Sequence, residues 1–159
     1  MNEGHFYFLR DEYYEDFKED KTLKNKLSKN GQVHDRPCFY AFKDNSTGLY
    51  WMIPISSKVS KYKSIYTKKT SNGKRCDTII FGNVLGSEKA FLIQNICPVN
   101  SSYIKNEYKS NSTPVKVDRV LEHELKTKTK KVLALIRKGY TNIVFTDVLK
   151  IEKELLRKK

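Results

Sequence analysis

Apolar positions along the chain fall into short runs separated by polar, turn-forming clusters, and helical spacing shows mainly toward the two ends. His5 to Leu9 reads as an aromatic-rich strand, after which Asp11 offers an N-cap for an acidic helix carrying Tyr13, Tyr14 and Phe17. That helix is expected to fade near Lys26 to Asn30, and Gly31 marks a turn. Pro37 to Phe42 and Leu49 to Ile55 predict two strands joined by a hairpin loop from Lys43 to Gly48. Pro37 opens its strand where a missing N–H does least harm, and Pro54 predicts that the second strand ends there or lies at an edge. Asp77 to Leu85 and Lys89 to Cys97 resume the strand pattern around a turn at Gly86-Ser87-Glu88, and Pro98 is expected to end the pairing. Residues 100–113 are polar and predict a loop with a helical turn at most.

From Pro114 to Lys138 the spacing of Leu121, Leu125, Val132, Leu135 and Ile136 predicts one long helix, stopped by Gly139. Thr146 or Asp147 caps a last helix through Val148, Ile151, Leu155 and Leu156. No internal repeat or linker divides the chain, so residues 1–159 are expected to form one domain. The expected class is α+β: a mainly antiparallel sheet of about five strands, curled into a small barrel, with helices near both ends.

Composition sharpens this picture. Ten Tyr and eight Phe supply a core, which excludes wholesale disorder. Lys and Arg number 31 against 18 Asp and Glu, a formal charge of +13 that attracts polyanions, nucleic acid first among them. The apolar run at Phe6 to Leu9 is short and follows Glu3 rather than basic residues, so a secretory signal is not expected, and no stretch is long enough to span a membrane. The expected compartment is the cytoplasm. Cys38, Cys76 and Cys97 fit neither a metal pair nor a disulfide framework, and His5, His34 and His123 are equally scattered, so no metal and no cofactor is expected.

The segment from Ser56 to Arg75 stands apart. It carries seven basic residues, many hydroxyls and no acid. In Lys61-Tyr62-Lys63-Ser64-Ile65-Tyr66-Thr67-Lys68-Lys69 the lysines can neutralise successive phosphates, while Tyr62 and Tyr66 offer faces for unpaired bases. The alternative is a solvated basic loop with its tyrosines used in packing. The densest acidic cluster, Asp11 to Asp20, reads as the exposed face of the first helix rather than a metal-nuclease centre. RNA carries its own nucleophile, the 2′-hydroxyl, and its cleavage needs only a proton acceptor, a donor to the leaving 5′-oxygen and cations for the crowded phosphate. Tyr, Ser and Lys crowd the stretch from Ser56 to Lys69.

Met52-Ile53-Pro54-Ile55-Ser56-Ser57-Lys58, followed by Ser60 and Lys61, resembles the ToxN/AbiQ family of type III toxin–antitoxin endoribonucleases, particularly its CptN branch. Further segments agree in order: Phe6 to Leu9 with Tyr13, His34 to Phe42, Ala90 to Val99, and the helix from Arg119 to Ile136. The resemblance implies an SH3-like barrel of the MazF and Kid toxin type. It implies metal-independent cleavage leaving a 2′,3′-cyclic phosphate and a 5′-hydroxyl, and a role in phage abortive infection. It also implies a small repeat-derived antitoxin RNA, folded as a pseudoknot, which the toxin processes within a closed RNA–protein assembly, with mRNA as the target.

Residue by residue, Ser57 matches the family's active-site serine and Ser56 its hydroxyl neighbour; the competing reading of Ser57 is a strand-end turn. Neither is an acyl-type nucleophile, because no nucleophile–His–acid spacing is present. Tyr13 matches the family's helix tyrosine, against a packing role in the core. His34 falls where relatives often carry a tyrosine and is a better proton shuttle at neutral pH, against a surface role. Val59 occupies one place expected for the family's lysine, so Lys58 or Lys61 is assigned the transition-state cation. Arg36 is a phosphate contact or a surface salt bridge, and Tyr62, Lys63, Tyr66, Lys68 and Lys69 complete the expected RNA-binding set. A non-catalytic RNA- or DNA-binding module is the alternative function. A polybasic peripheral membrane protein is disfavoured, because no helix pairs a Trp/Phe face with lysines.

Overall fold

The computed structural model describes residues 1–21, 24–27 and 31–158. In chain order the elements are β1 (Phe6–Leu9), α1 (Asp11–Asp16), β2 (Lys26–Leu27), β3 (Val33–His34), β4 (Pro37–Lys43), β5 (Tyr50–Ser56), α2 (Val59–Thr70), β6 (Ile79–Val84), β7 (Ser87–Leu92), β8 (Cys97–Val99), β9 (Ile104–Glu107), β10 (Lys109–Ser110), β11 (Thr113–Pro114), α3 (Arg119–Arg137) and α4 (Val148–Arg157). The main sheet is antiparallel and runs β6-β7-β5-β4-β1-β9, with β8 paired to β5 beside β7.

This is the expected α+β class, but the sheet is open: among the described residues β6 and β9, at its two ends, do not pair. The reason lies in the strands themselves. Phe6, Phe39, Trp51 and Ile53 enter one apolar cluster, whereas their sequence neighbours Tyr7, Cys38, Tyr40 and Met52 enter a second. Both faces of the sheet are therefore covered, which explains why these runs are apolar throughout rather than alternating. On the first face lies α3, through Leu121, Leu125, Val132, Leu133 and Ile136. On the other lie α1, through Tyr13 and Tyr14, and α4, through Ile151 and Leu155. There too α2 seats Tyr62, with Ile65 beside it, on Ile79, Ala90 and Leu92 of the β6–β7 hairpin.

Local chemistry fixes the helix ends. Asp118 caps α3 by accepting the Leu121 N–H at 2.8 Å, so the helix starts five residues after the expected Pro114. Gly139, at φ +101°, ends it: its N–H reaches Ile136 O, and the Tyr140 N–H reaches back to Leu135 O at 3.0 Å. Asp147 caps α4, as expected, through the Lys150 N–H. At Gly82 in β6 the chain comes so close to α3 that a Cβ there would lie 2.2 Å from Leu121 Cδ2.

Other sequence expectations are corrected. The first helix ends at Asp16 and Lys26–Leu27 is strand, while residues 28–30 of its expected tail lie outside the described residues. Pro54 neither ends β5 nor lies at an edge; it falls where β5 changes partner, from Cys97 opposite Met52 to Phe91 opposite Ile55. Pro98 does not end the pairing but sits within β8 opposite Trp51. The expected loop at 100–113 contains β9, which adds to the edge of β1, and the segment from Ser56 to Arg75 is mostly the helix α2. The β6–β7 turn falls at Leu85-Gly86. All three cysteines are free and buried.

Candidate functional site

The site is built where β5 hands over to α2. Ser56, the last residue of β5, is buried and pairs with Ala90 on β7; its hydroxyl accepts the Lys58 N–H at 3.2 Å, which orders the step from strand to helix. Ser57 is turned out to solvent, and its Oγ accepts a hydrogen bond from Lys89 Nζ at 3.0 Å. Lys89 was not foreseen. It reaches Ser57 because the Ser56–Ala90 register brings the next residue of β5's chain alongside the preceding residue of β7.

Together they border a cavity of about 340 Å³. Ser87 joins Ser57 and Lys89 on its polar side; Tyr108, Pro37 and the tip of the β6–β7 hairpin, Val84 and Leu85, line the rest with Ile55. Arg36 is anchored next door, its guanidinium donating to Ile55 O at 2.9 Å and to Lys24 O at 3.1 Å. The N-terminus of α2, the positive end of its dipole, opens beside Ser57, and the helix contains no acidic residue. A hydroxyl, an ammonium and a helix N-terminus at the rim of one cavity suit a phosphate oxygen.

Beyond Lys58 the helix carries its cations away from the cavity over about 18 Å. Lys58, Lys61 and Lys68 are exposed, and among the described residues they make no carboxylate pair. Lys63 pairs with Glu88 at 2.7 Å, and Lys69 donates to Gln94 at 3.3 Å. On α3, Lys126 pairs with Glu122 and Glu3, Lys128 with Glu124 and Lys131 with Asp77, while Lys130 lies over the Phe42 ring. The α2 segment thus combines unpaired lysines with a complete lack of acidic residues.

The structure brings Ser56, Ser57, Lys58 and Arg36 together and separates the other nominees. Tyr13 has no exposed surface; it packs against Phe17 and Tyr103, and its hydroxyl donates to Pro98 O at 3.0 Å. Burial, with Cys97 alongside, holds its phenol well above the ordinary tyrosine range, so its expected catalytic role is replaced by packing. Tyr62 is likewise buried, its ring in the α2–hairpin core, and offers no face to a base. Tyr66 is partly exposed and stands edge-on to Phe81. His34 is exposed on the two-residue strand β3, opposite Lys26, and does not line the cavity.

Among the described residues no group of three His, Cys, Asp or Glu side chains converges, and no helix is long and apolar enough to cross a membrane. Neither a protein-family model nor a curated protein sequence matches the chain. A solved structure does: AbiQ, a lactococcal anti-phage endoribonuclease belonging to the type III toxin–antitoxin system, at a TM-score of 0.64 and 17% identity. The match covers 98% of each chain, so the resemblance read from the sequence is met in three dimensions, and the chain has the fold of AbiQ from end to end.

Proposed function

We propose that this protein is a metal-independent endoribonuclease, the toxin of a type III toxin–antitoxin pair acting in the cytoplasm. The observation that carries the reading is the Lys89–Ser57 contact at the mouth of a cavity, at the head of a basic helix, on the fold of AbiQ. Ser57 and Lys89 hold the non-bridging oxygens of the scissile phosphate, and the α2 N-terminus adds its partial positive charge. The 2′-oxygen of the substrate attacks phosphorus, the bond to the 5′-oxygen breaks, and the products are a 2′,3′-cyclic phosphate and a 5′-hydroxyl. The 2′ proton passes to a base and the 5′-oxygen takes one up; with Tyr13 in the core and His34 and Lys61 off the cavity, Lys58 is the expected acid–base residue that stands beside Ser57.

The unmatched lysines Lys58, Lys61 and Lys68, with Tyr66, form the surface for the antitoxin RNA, a repeat-derived pseudoknot, and for target mRNA. RNA that spans the basic helices of several copies of the protein joins them into a closed assembly. Incubation with labelled single-stranded RNA in EDTA tests the reading. Fragments whose 5′ ends accept phosphate from a kinase without prior dephosphorylation, lost in Ser57→Ala, are expected. A retarded but intact strand would indicate a binding module, and cleavage abolished by EDTA would refute the metal-free mechanism.

A further inference from the structure

The cavity at Ser57 has a second, apolar half that phosphate binding leaves unused. Leu85 and Gly86 form the two-residue turn between Val84 and Ser87, with φ of 52° and +77°. Positive φ at both positions is the geometry that Asn, Asp or Gly adopts at least cost. Leucine there is strained, and this one is also 57% exposed. Both penalties fall on a side chain that lines the cavity. Tyr108 lines it too. Its ring is fixed by Phe8 at 5.2 Å and edge-on by Phe6 at 6.5 Å, and its backbone is tied to Phe6 O and the Val115 N–H. An anchored aromatic and a strained, solvent-facing leucine therefore share one cavity with a hydroxyl–ammonium pair.

That pairing matches the two halves of a nucleotide: an anionic ester and a flat, largely apolar base. Resting on the ribonuclease reading, the geometry points to a nucleobase subsite. The base belonging to the phosphate held by Ser57 and Lys89 lies against Tyr108 and Leu85. A volume of about 340 Å³ admits one such unit. Bases within a duplex have both faces stacked and cannot enter, so the subsite selects unpaired RNA, and Leu85 and Tyr108 set which base is preferred.

Nucleoside 3′-monophosphates are the probe, because each carries one base on one phosphate. Binding of all four, and of inorganic phosphate, is measured by NMR titration on the wild type, Leu85→Asn and Tyr108→Leu. At least one nucleotide is expected to bind about tenfold more tightly than inorganic phosphate. Leu85→Asn, which suits the turn backbone and so folds, removes that advantage and leaves phosphate binding unchanged; Tyr108→Leu does the same. Nucleotides that bind no better than phosphate, or an advantage that survives Leu85→Asn, overturn the subsite. RNA cleavage is assayed in parallel: cleavage without a nucleotide advantage defeats the subsite alone. A nucleotide advantage lost in both variants, without cleavage of any RNA, upholds the subsite and defeats the ribonuclease reading.

Discussion

Lys89→Ala is the sharpest test of the site, because it removes one group whose position is set by the sheet. The ammonium lies 3.0 Å from Ser57 Oγ, held on a strand paired to β5 through Ser56 and Ala90. If this ammonium faces the charge that grows on phosphorus oxygens in the transition state, its loss resembles deletion of one oxyanion donor. Such deletions cost about 2.7–4 kcal/mol, or about 10²–10³ in rate. On the proposed reading, in which the exposed lysines of α2 share RNA binding, ground-state affinity should fall by no more than about threefold, one phosphate contact among several. Single-turnover cleavage of labelled RNA separates the two quantities, and Lys89→Arg should restore part of the rate. Lys63→Ala is the control: it breaks the pair with Glu88 but lies off the cavity, so it alters binding without a hundredfold fall in rate. A Lys89→Ala enzyme that cleaves within threefold of wild type, while remaining folded, would refute the assignment.

Four further outcomes follow from packing and charge. Gly82→Ala should destabilise the protein by about 1–3 kcal/mol in chemical denaturation, because the new Cβ would lie 2.2 Å from Leu121 Cδ2. Asp118→Ala should cost about 1 kcal/mol through loss of the α3 cap, with Asp118→Asn recovering most of it. The Lys131 hydrogen bond holds the Asp77 carboxyl below its ordinary value of 3.8. The contribution of that pair is complete above pH 3.8 and is lost as pH falls through the lower folded value. Lys131 is half in water, so Asp77→Asn should lower stability at pH 7 by no more than about 1 kcal/mol, and the difference should vanish in acid. Replacing Lys61 and Lys68 together by Gln should leave the unfolding midpoint unchanged yet flatten the salt dependence of RNA binding, measured by titration at several ionic strengths.

Local pattern carried much of the fold into the sequence. The runs at Phe6–Leu9, Pro37–Lys43 and Tyr50–Ser56 are strands, and Asp147 and Gly139 act as cap and stop. The same runs also held evidence against a barrel, since an unbroken apolar strand has no wet face. In α2 the apolar residues Val59, Tyr62, Ile65 and Tyr66 already stand at helical spacing, but the lysines, serines and threonines between them outnumber them and hide the period. β9 was hidden for a different reason: Ile104-Lys105-Asn106-Glu107 is an edge strand, and one ladder of backbone hydrogen bonds needs little from its side chains. Tyr13 and Tyr62 show the limit of reading chemistry from residue type. A phenol packed on Phe17 and one seated over Ala90 look identical in sequence to a phenol at a surface.

Lys89 marks the same limit at the site. Its partner is 32 residues away, and their meeting depends on the register of β5 with β7, which no short segment specifies. The β6–β7 hairpin thereby links the sheet to the chemistry. Its inner residues, Ile80 and Phe91, are held in the α3-side core, and its outer residues, Ile79 and Leu92, seat α2. Its tip and Lys89 face the cavity. A one-residue slip of this hairpin would turn Lys89 to the opposite face of the sheet and put Phe91 where Ala90 now packs beneath Tyr62. The register that makes the core is thus the register that delivers the cation, and core substitutions that loosen it should reduce activity before they unfold the protein.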